Sequence, residues 1–79
     1  MAFSLHERAL YTLLAVDRMD QRRLVLALEG IEADPTANTD WIEIAPDGQR
    51  ERVRVVGDYR IKFWVGADGK MFVHDILKP

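Results

Sequence analysis

The 79-residue chain contains no cysteine, which excludes disulfides, thiolate nucleophiles and cysteine-ligated zinc or iron–sulfur centres together. A small fold without such cross-links rests on its core alone, and it fits a reducing compartment, so a cytoplasmic protein is expected. Long apolar runs are missing too. The longest, Ala9 to Val16, contains Thr12 and falls well short of the roughly 20 residues that span a bilayer. His6, Glu7, Arg8, Asp17, Arg18 and Asp20 punctuate the start of the chain, and neither a signal peptide nor a membrane contact is expected. A broad positive field is likewise missing: 11 Lys and Arg against 13 Asp and Glu leave a net charge of −2, too little for non-specific nucleic-acid binding by the whole molecule. No linker, low-complexity tract or repeat divides the chain, and its length allows one domain, residues 1–79, without a deep cavity.

What is present is the composition of a folded protein, 48% hydrophobic and 30% charged, far from that of a disordered tail. Its charge is unevenly placed. Between Arg50 and Lys62 stand Arg50, Arg52, Arg54, Arg60 and Lys62 against Glu51 and Asp58, a local +3 that leaves −5 for the remainder.

The hydrophobic period changes at Asp34-Pro35, from helical spacing before it to alternation after it. Ser4-Leu5-His6-Glu7 has the form of a capping box and predicts a first helix starting there. Leu5, Ala9, Leu10, Leu13 and Val16 form its apolar side. Asp17 to Asp20 reads as a tight connection in which either aspartate can cap a second helix; Leu24, Ala27, Leu28 and Ile31 are that helix's buried stripe, and Asp34-Pro35 ends it. Strands are then predicted at Trp41 to Ala45, Arg50 to Val56, Tyr59 to Val65 and about Lys70 to Leu77, separated by Pro46-Asp47-Gly48-Gln49, Gly57-Asp58 and Gly66-Ala67-Asp68-Gly69. Residues 1–4 allow a short edge strand. Two helices followed by a meander predict an α+β domain, a two-helix hairpin packed on one face of an antiparallel sheet of about four strands.

Alternation sorts the strands into faces. Val53 and Val55, with Tyr59, Ile61, Phe63 and Val65, are expected toward the helices. Arg52, Arg54, Arg60, Lys62 and Trp64 are then expected together on the open face, suited to phosphate contact and base stacking. The consecutive Val55-Val56 leaves the pairing register open by one residue. An ordinary solvated sheet face is the competing reading.

The stretch Arg52-Val53-Arg54-Val55-Val56-Gly57-Asp58-Tyr59-Arg60-Ile61-Lys62-Phe63, and Gly57 to Ile61 above all, resembles the central hairpin of the RelE/ParE superfamily, the toxins of bacterial type II toxin–antitoxin modules involved in growth inhibition and plasmid stabilisation. The element order matches over essentially the whole chain. The resemblance implies a toxin that acts on translation, by ribosome-dependent mRNA cleavage, or on DNA gyrase, or a branch that keeps only the fold and antitoxin pairing. It implies an antitoxin partner, with ribosome and mRNA or gyrase as target, and no cofactor. Two departures stand against the ribonuclease: the Arg and Tyr usual after the last strand are absent, the chain stopping at Lys78-Pro79, and the protein is acidic where ribosome binders are basic.

For such chemistry Arg60, Arg54 and Arg52 are the catalytic candidates, as cations that hold phosphate charge, while the proton acceptor and donor stay unassigned because arginine remains charged. Lys62, Trp64 and His74 are candidates for nucleic-acid or target binding. Leu26 and Val25 widen the apolar face of the second helix beyond what one small sheet needs and are candidates for antitoxin binding or self-association. A non-catalytic protein- or nucleic-acid-binding module using the same basic face is the alternative. His74-Asp75 does not make a metal site, since adjacent strand residues point to opposite faces, and Trp41 reads as core or edge packing.

Overall fold

The computed structural model describes residues 3–78. Strand β1 (Phe3–Leu5) leads into helices α1 (Glu7–Ala15) and α2 (Arg18–Ala33), followed by β2 (Trp41–Ile44), β3 (Arg50–Val56), β4 (Tyr59–Val65) and β5 (Met71–Leu77). The sheet order is β1-β5-β4-β3-β2. From β2 to β5 the strands form an antiparallel meander, and β1 adds a fifth strand parallel to β5. The two-helix, antiparallel-sheet α+β reading is therefore the observed one, extended at one edge. The strand allowed at residues 1–4 falls at Phe3–Leu5, and Met1 and Ala2 lie outside the described residues.

Strand pairing also moves the first helix cap. Ser4 pairs with Phe72 and the His6 N–H donates to the Val73 carbonyl at 2.8 Å, so extended backbone persists through the serine that was to cap α1. His6 takes its place, its Nδ1 accepting the Arg8 N–H at 3.2 Å. Asp17 caps α2, Oδ1 accepting the Asp20 N–H at 2.8 Å. Beyond α2, the Gly30 carbonyl accepts the Asp34 N–H at 3.1 Å and the Asn38 side-chain amide at 3.0 Å, which ties the connector to the helix end.

One core joins the helices to the sheet. Ala9 and Leu13 from α1 and Leu24, Leu28 and Ile31 from α2 pack with Ile61, Phe63, Met71, Val73 and Ile76, and Leu5, Val16 and Ala27 border them half-buried. Leu10, expected within the apolar side of α1, is exposed instead. That helix is short and packs chiefly on β5, so only the i, i+4 pair Ala9 and Leu13 reaches the sheet.

The β3–β4 turn decides the faces. Gly57 takes φ +57°, the positive angle a type II′ turn requires at its first loop residue. Val56 consequently pairs with Tyr59, Val55 with Arg60, Arg54 with Ile61, Val53 with Lys62 and Arg52 with Phe63.

Candidate site on the open sheet face

Residues paired across an antiparallel ladder point to the same side. Ile61 and Phe63 are in the core, so Arg54 and Arg52 lie on the helix side, and the predicted five-residue cluster does not form. The open face carries Arg60, Lys62 and Trp64, now with Val55 and Val53. Of the two valines before the turn, Val56 faces the core side and Val55 is exposed. Arg52 and Arg54 brace the connector between α2 and β2. Arg52 Nη1 lies 3.3 Å from Thr39 Oγ1 and Arg54 Nη1 lies 3.4 Å from Asp40 Oδ1, while the other Asp40 oxygen accepts the Val55 N–H at 2.7 Å.

The same register brings in Glu43 and Glu51, which were not among the candidates, and Trp41, which was read as packing alone. Trp41 pairs with Val53 and Glu43 with Glu51, which puts all four on the open side. Val53, between Trp41 and Lys62 in the ladder, is fully buried. Trp41 does occupy an edge strand, as read, but its ring also lies beneath a cation: the Arg60 guanidinium carbon is 5.4 Å from its centroid. A depression of about 310 Å³ opens here between Trp41, Arg60 and Lys78. Lys62 Nζ pairs with Glu43 Oε2 at 3.1 Å, and Trp41 Nε1 donates to Glu43 Oε1 at 3.0 Å. Those contacts, the indole hydrogen bond first and Lys62 second, hold the Glu43 carboxyl below its ordinary pKa. The positive charge of this face is thus divided, Lys62 tied to a carboxylate and Arg60 stacked on an indole.

At the other end of the face the β4–β5 ladder slips. Lys62 pairs with Asp75 but Phe63 with Val73, leaving His74 as the extra residue of a β-bulge, a device that re-aims side chains. Strict alternation, used above to set His74 apart from Asp75, fails at this point. The His74 ring lies 5.8 Å from Trp64 and 5.8 Å from His6, and its Nδ1 is 3.0 Å from Glu51 Oε2. Glu51 is the buried charged residue of the described chain. It is satisfied by this contact, consistent with the rule that interior charges have partners. Trp64 stacks on Phe72 with 19° between the rings. A depression of about 290 Å³ borders Glu51, Trp64 and His74 under the Pro46 to Gln49 turn.

Of the predicted partner residues, Leu26 is 68% exposed, whereas Val25 packs half-buried against the core. Both line a shallow apolar depression on α2 with Gln21 and Arg22. Among the described residues no group of three or more His, Cys, Asp or Glu is arranged to hold a metal ion, and no helix is long and apolar enough to cross a membrane.

The whole fold is similar to a chain of the archaeal RelE-RelB complex from Pyrococcus horikoshii OT3, solved by crystallography. The TM-score is 0.76, with 100% of this chain and 96% of that chain covered at 19% sequence identity. No protein-family model and no curated protein matches the sequence. The chain has a RelE-like fold.

Proposed function

We propose that this chain is the toxin of a two-protein toxin–antitoxin module and that its open sheet face meets RNA during translation. The observation that carries the reading is the RelE-like fold over the entire chain, in agreement with the Gly57 to Ile61 hairpin from which the resemblance was drawn. A gyrase poison would need only a binding surface. The RNA target is favoured because the open face holds a histidine–carboxylate contact beside a tryptophan, groups fit for proton transfer and base stacking.

The antitoxin part of the reading rests on uncovered apolar surface. Tyr11 and Leu14 of α1, Met19 and Leu26 of α2 and Ile44 of β2 are each more than 60% exposed. A segment that orders itself on such surface binds the folded state alone and stabilises it by mass action. The similar archaeal chain was solved in complex with RelB, which supports a protein partner of this kind for the present chain.

Induced expression should arrest growth, and co-expression of the neighbouring small open reading frame should relieve the arrest. Leu26→Asp should keep its fold and its toxicity while losing at least tenfold in affinity for that partner. Absence of arrest by the wild type overturns the toxin reading; unchanged co-purification of Leu26→Asp places the partner elsewhere.

A further inference from the structure

We propose that two copies of this chain associate edge to edge through β2, antiparallel about a two-fold axis, joining their sheets into one. β2 is the last strand of its sheet, and its inner ladder fixes which backbone groups point outward. The Ala45 N–H donates to the Gln49 carbonyl at 2.8 Å. In an antiparallel pair alternate residues turn both N–H and C=O toward the neighbour, so in the β2–β3 register Trp41, Glu43 and Ala45 bond inward. Ile42 and Ile44 therefore present theirs to the free side, and their side chains, 50% and 72% exposed, stand on the helix side.

Edge strands are ordinarily blunted by lysine, proline or charge. Trp41-Ile42-Glu43-Ile44 has neither lysine nor proline, and its one charge, Glu43, is held on the open face by Lys62 and the Trp41 indole. Such an edge accepts another strand, and a second copy is self-complementary to it in one register. Symmetric pairings that match outward groups to outward groups centre on Ile44, on Glu43 or on Ile42. The first sets Ile42 against Pro46 of the second copy, which has no N–H to give. The second sets the two Glu43 carboxylates directly opposite, a destabilising like-charge pair. Centring on Ile42 avoids both. The two Ile42 residues then exchange N–H···O bonds, Trp41 lies opposite Glu43 of the second copy on the open side, and Ile44 lies opposite Asp40 of the second copy on the helix side.

Charge complementarity favours the same register. Arg50 is exposed and has no ion pair among the described residues. It pairs with Ile44, so Asp40 of the second copy stands two strand spacings away, about 10 Å, a gap that an arginine and an aspartate side chain close between them. Symmetry repeats the contact, with Ile42 and Ile44 of both copies between the two ion pairs. A four-residue edge is short, which places the pair among weak interfaces of less than about 1,200 Å². The two-fold axis runs normal to the sheet, so the open faces of both copies lie side by side.

Sedimentation of the intact protein from about 10 µM to about 1 mM, the range of a weak pair, should show the mass rising from monomer toward dimer. Ile42→Pro removes the outward N–H and keeps the β2–β3 ladder, a substitution that edge strands tolerate; it should raise the dissociation constant at least tenfold at an unchanged melting temperature. Arg50→Glu should raise it at least twofold. Leu26→Asp tests the rival apolar face on α2 and should not disperse the pair. Because the chain has no cysteine, single-cysteine variants report the register. A bifunctional thiol reagent that spans one strand spacing should join Ile42→Cys, but not Ile44→Cys, whose mate lies four residues along the strand, about 14 Å away.

A wild type that stays monomeric to about 1 mM, an Ile42→Pro protein that associates as well as wild type, dispersal by Leu26→Asp in place of Ile42→Pro, or cross-linking at 44 without 42 each overturns the pair. If the wild type stays monomeric and Ile42→Pro loses the product of the neighbouring open reading frame, the edge belongs to that partner and the second copy is excluded. Association is read apart from growth. A dimer that causes no arrest keeps this interface and removes the toxin reading; a monomer that arrests growth does the reverse.

Discussion

Arg60→Ala and Arg54→Ala distinguish the two faces of the hairpin, because these arginines point to opposite sides of the sheet although the alternating pattern groups them. Arg60 is exposed beside Trp41 on the open face; Arg54 is tied to Asp40 on the other. A cation that neutralises one phosphate of single-stranded RNA contributes a slope of about 0.7 to the fall of log affinity with log salt. At about 0.1 M salt that slope corresponds to a factor of about five, or about 1 kcal/mol. Arg60→Ala should therefore weaken RNA binding about fivefold and reduce the salt slope by about 0.7. Arg54→Ala should leave both unchanged. Its effect belongs to stability, where losing a half-exposed pair at 3.4 Å costs about 0.2–1 kcal/mol. Fluorescence anisotropy with a labelled RNA across a salt series measures the first, and the urea midpoint measures the second. An equal loss of slope in Arg54→Ala, or none in Arg60→Ala, would refute the assignment of faces.

Two further outcomes follow from the core and from the link between α2 and the hairpin. Leu28 is fully buried between the helices and the sheet, so Leu28→Ala should cost about 2–5 kcal/mol and lower the melting temperature by roughly 10 °C or more, whereas a calorimetric shift of only a degree or two would contradict the observed packing. The Tyr59 hydroxyl donates to Asp20 Oδ2 at 2.9 Å, and that hydrogen bond, ahead of desolvation and the Asp20 charge, raises the phenol's pKa above its model-compound value. The folded chain then holds a proton that the unfolded chain has already released, so this stabilisation is complete below about pH 10 and is lost as the pH rises through the folded value. Urea unfolding between pH 9 and 11 should show that decline, and Asp20→Asn should flatten it; an unchanged slope would exclude Tyr59 as its source.

The order of elements was legible because the period of the apolar residues changes only once, and β3 and β4 begin and end at the residues their turn signals mark. The β1 strand was harder to read. Its partner β5 lies at the far end of the chain, and a three-residue segment carries too few alternations to announce a pairing. His6 as a cap followed from that pairing rather than from any local pattern, since Ser4 and Glu7 made the better capping box on paper. The site was split in the same way. Arg60, Lys62 and Trp64 were readable as one side of β4, but Glu51 was hidden because its face depends on the β3 register, and His74 because a bulge interrupts alternation at that residue. The usable signal for Glu51 was the two-residue length of the Gly57-Asp58 loop, which pairs Val56 with Tyr59 and so sets every residue back to Glu51.

Shifting a strand by one residue exchanges its two faces, and β3 holds apolar residues on both parities near its end, so the hydrophobic pattern alone supports two registers. The tight turn selects the one that looks worse by burial, sending Arg52 and Arg54 toward the helices and Val53 and Val55 away from them. It is tolerated because the sheet residues buried in the core against the helices come from β4 and β5, with α1 lying on β5 and α2 only touching β3. Past that cover the long arginine side chains extend to Thr39 and Asp40 at the margin, as amphipathic side chains do when their stems can lie along apolar surface. The same arrangement leaves Ile42 and Ile44, paired with Arg52 and Arg50, at least half exposed on the helix side of an edge strand. On the opposite face it sets Glu51 against His74 and Glu43 against Lys62. A single register thus creates both surfaces on which the proposed function depends, an apolar margin for a protein partner on one side of β2 and β3 and a histidine–carboxylate row on the other.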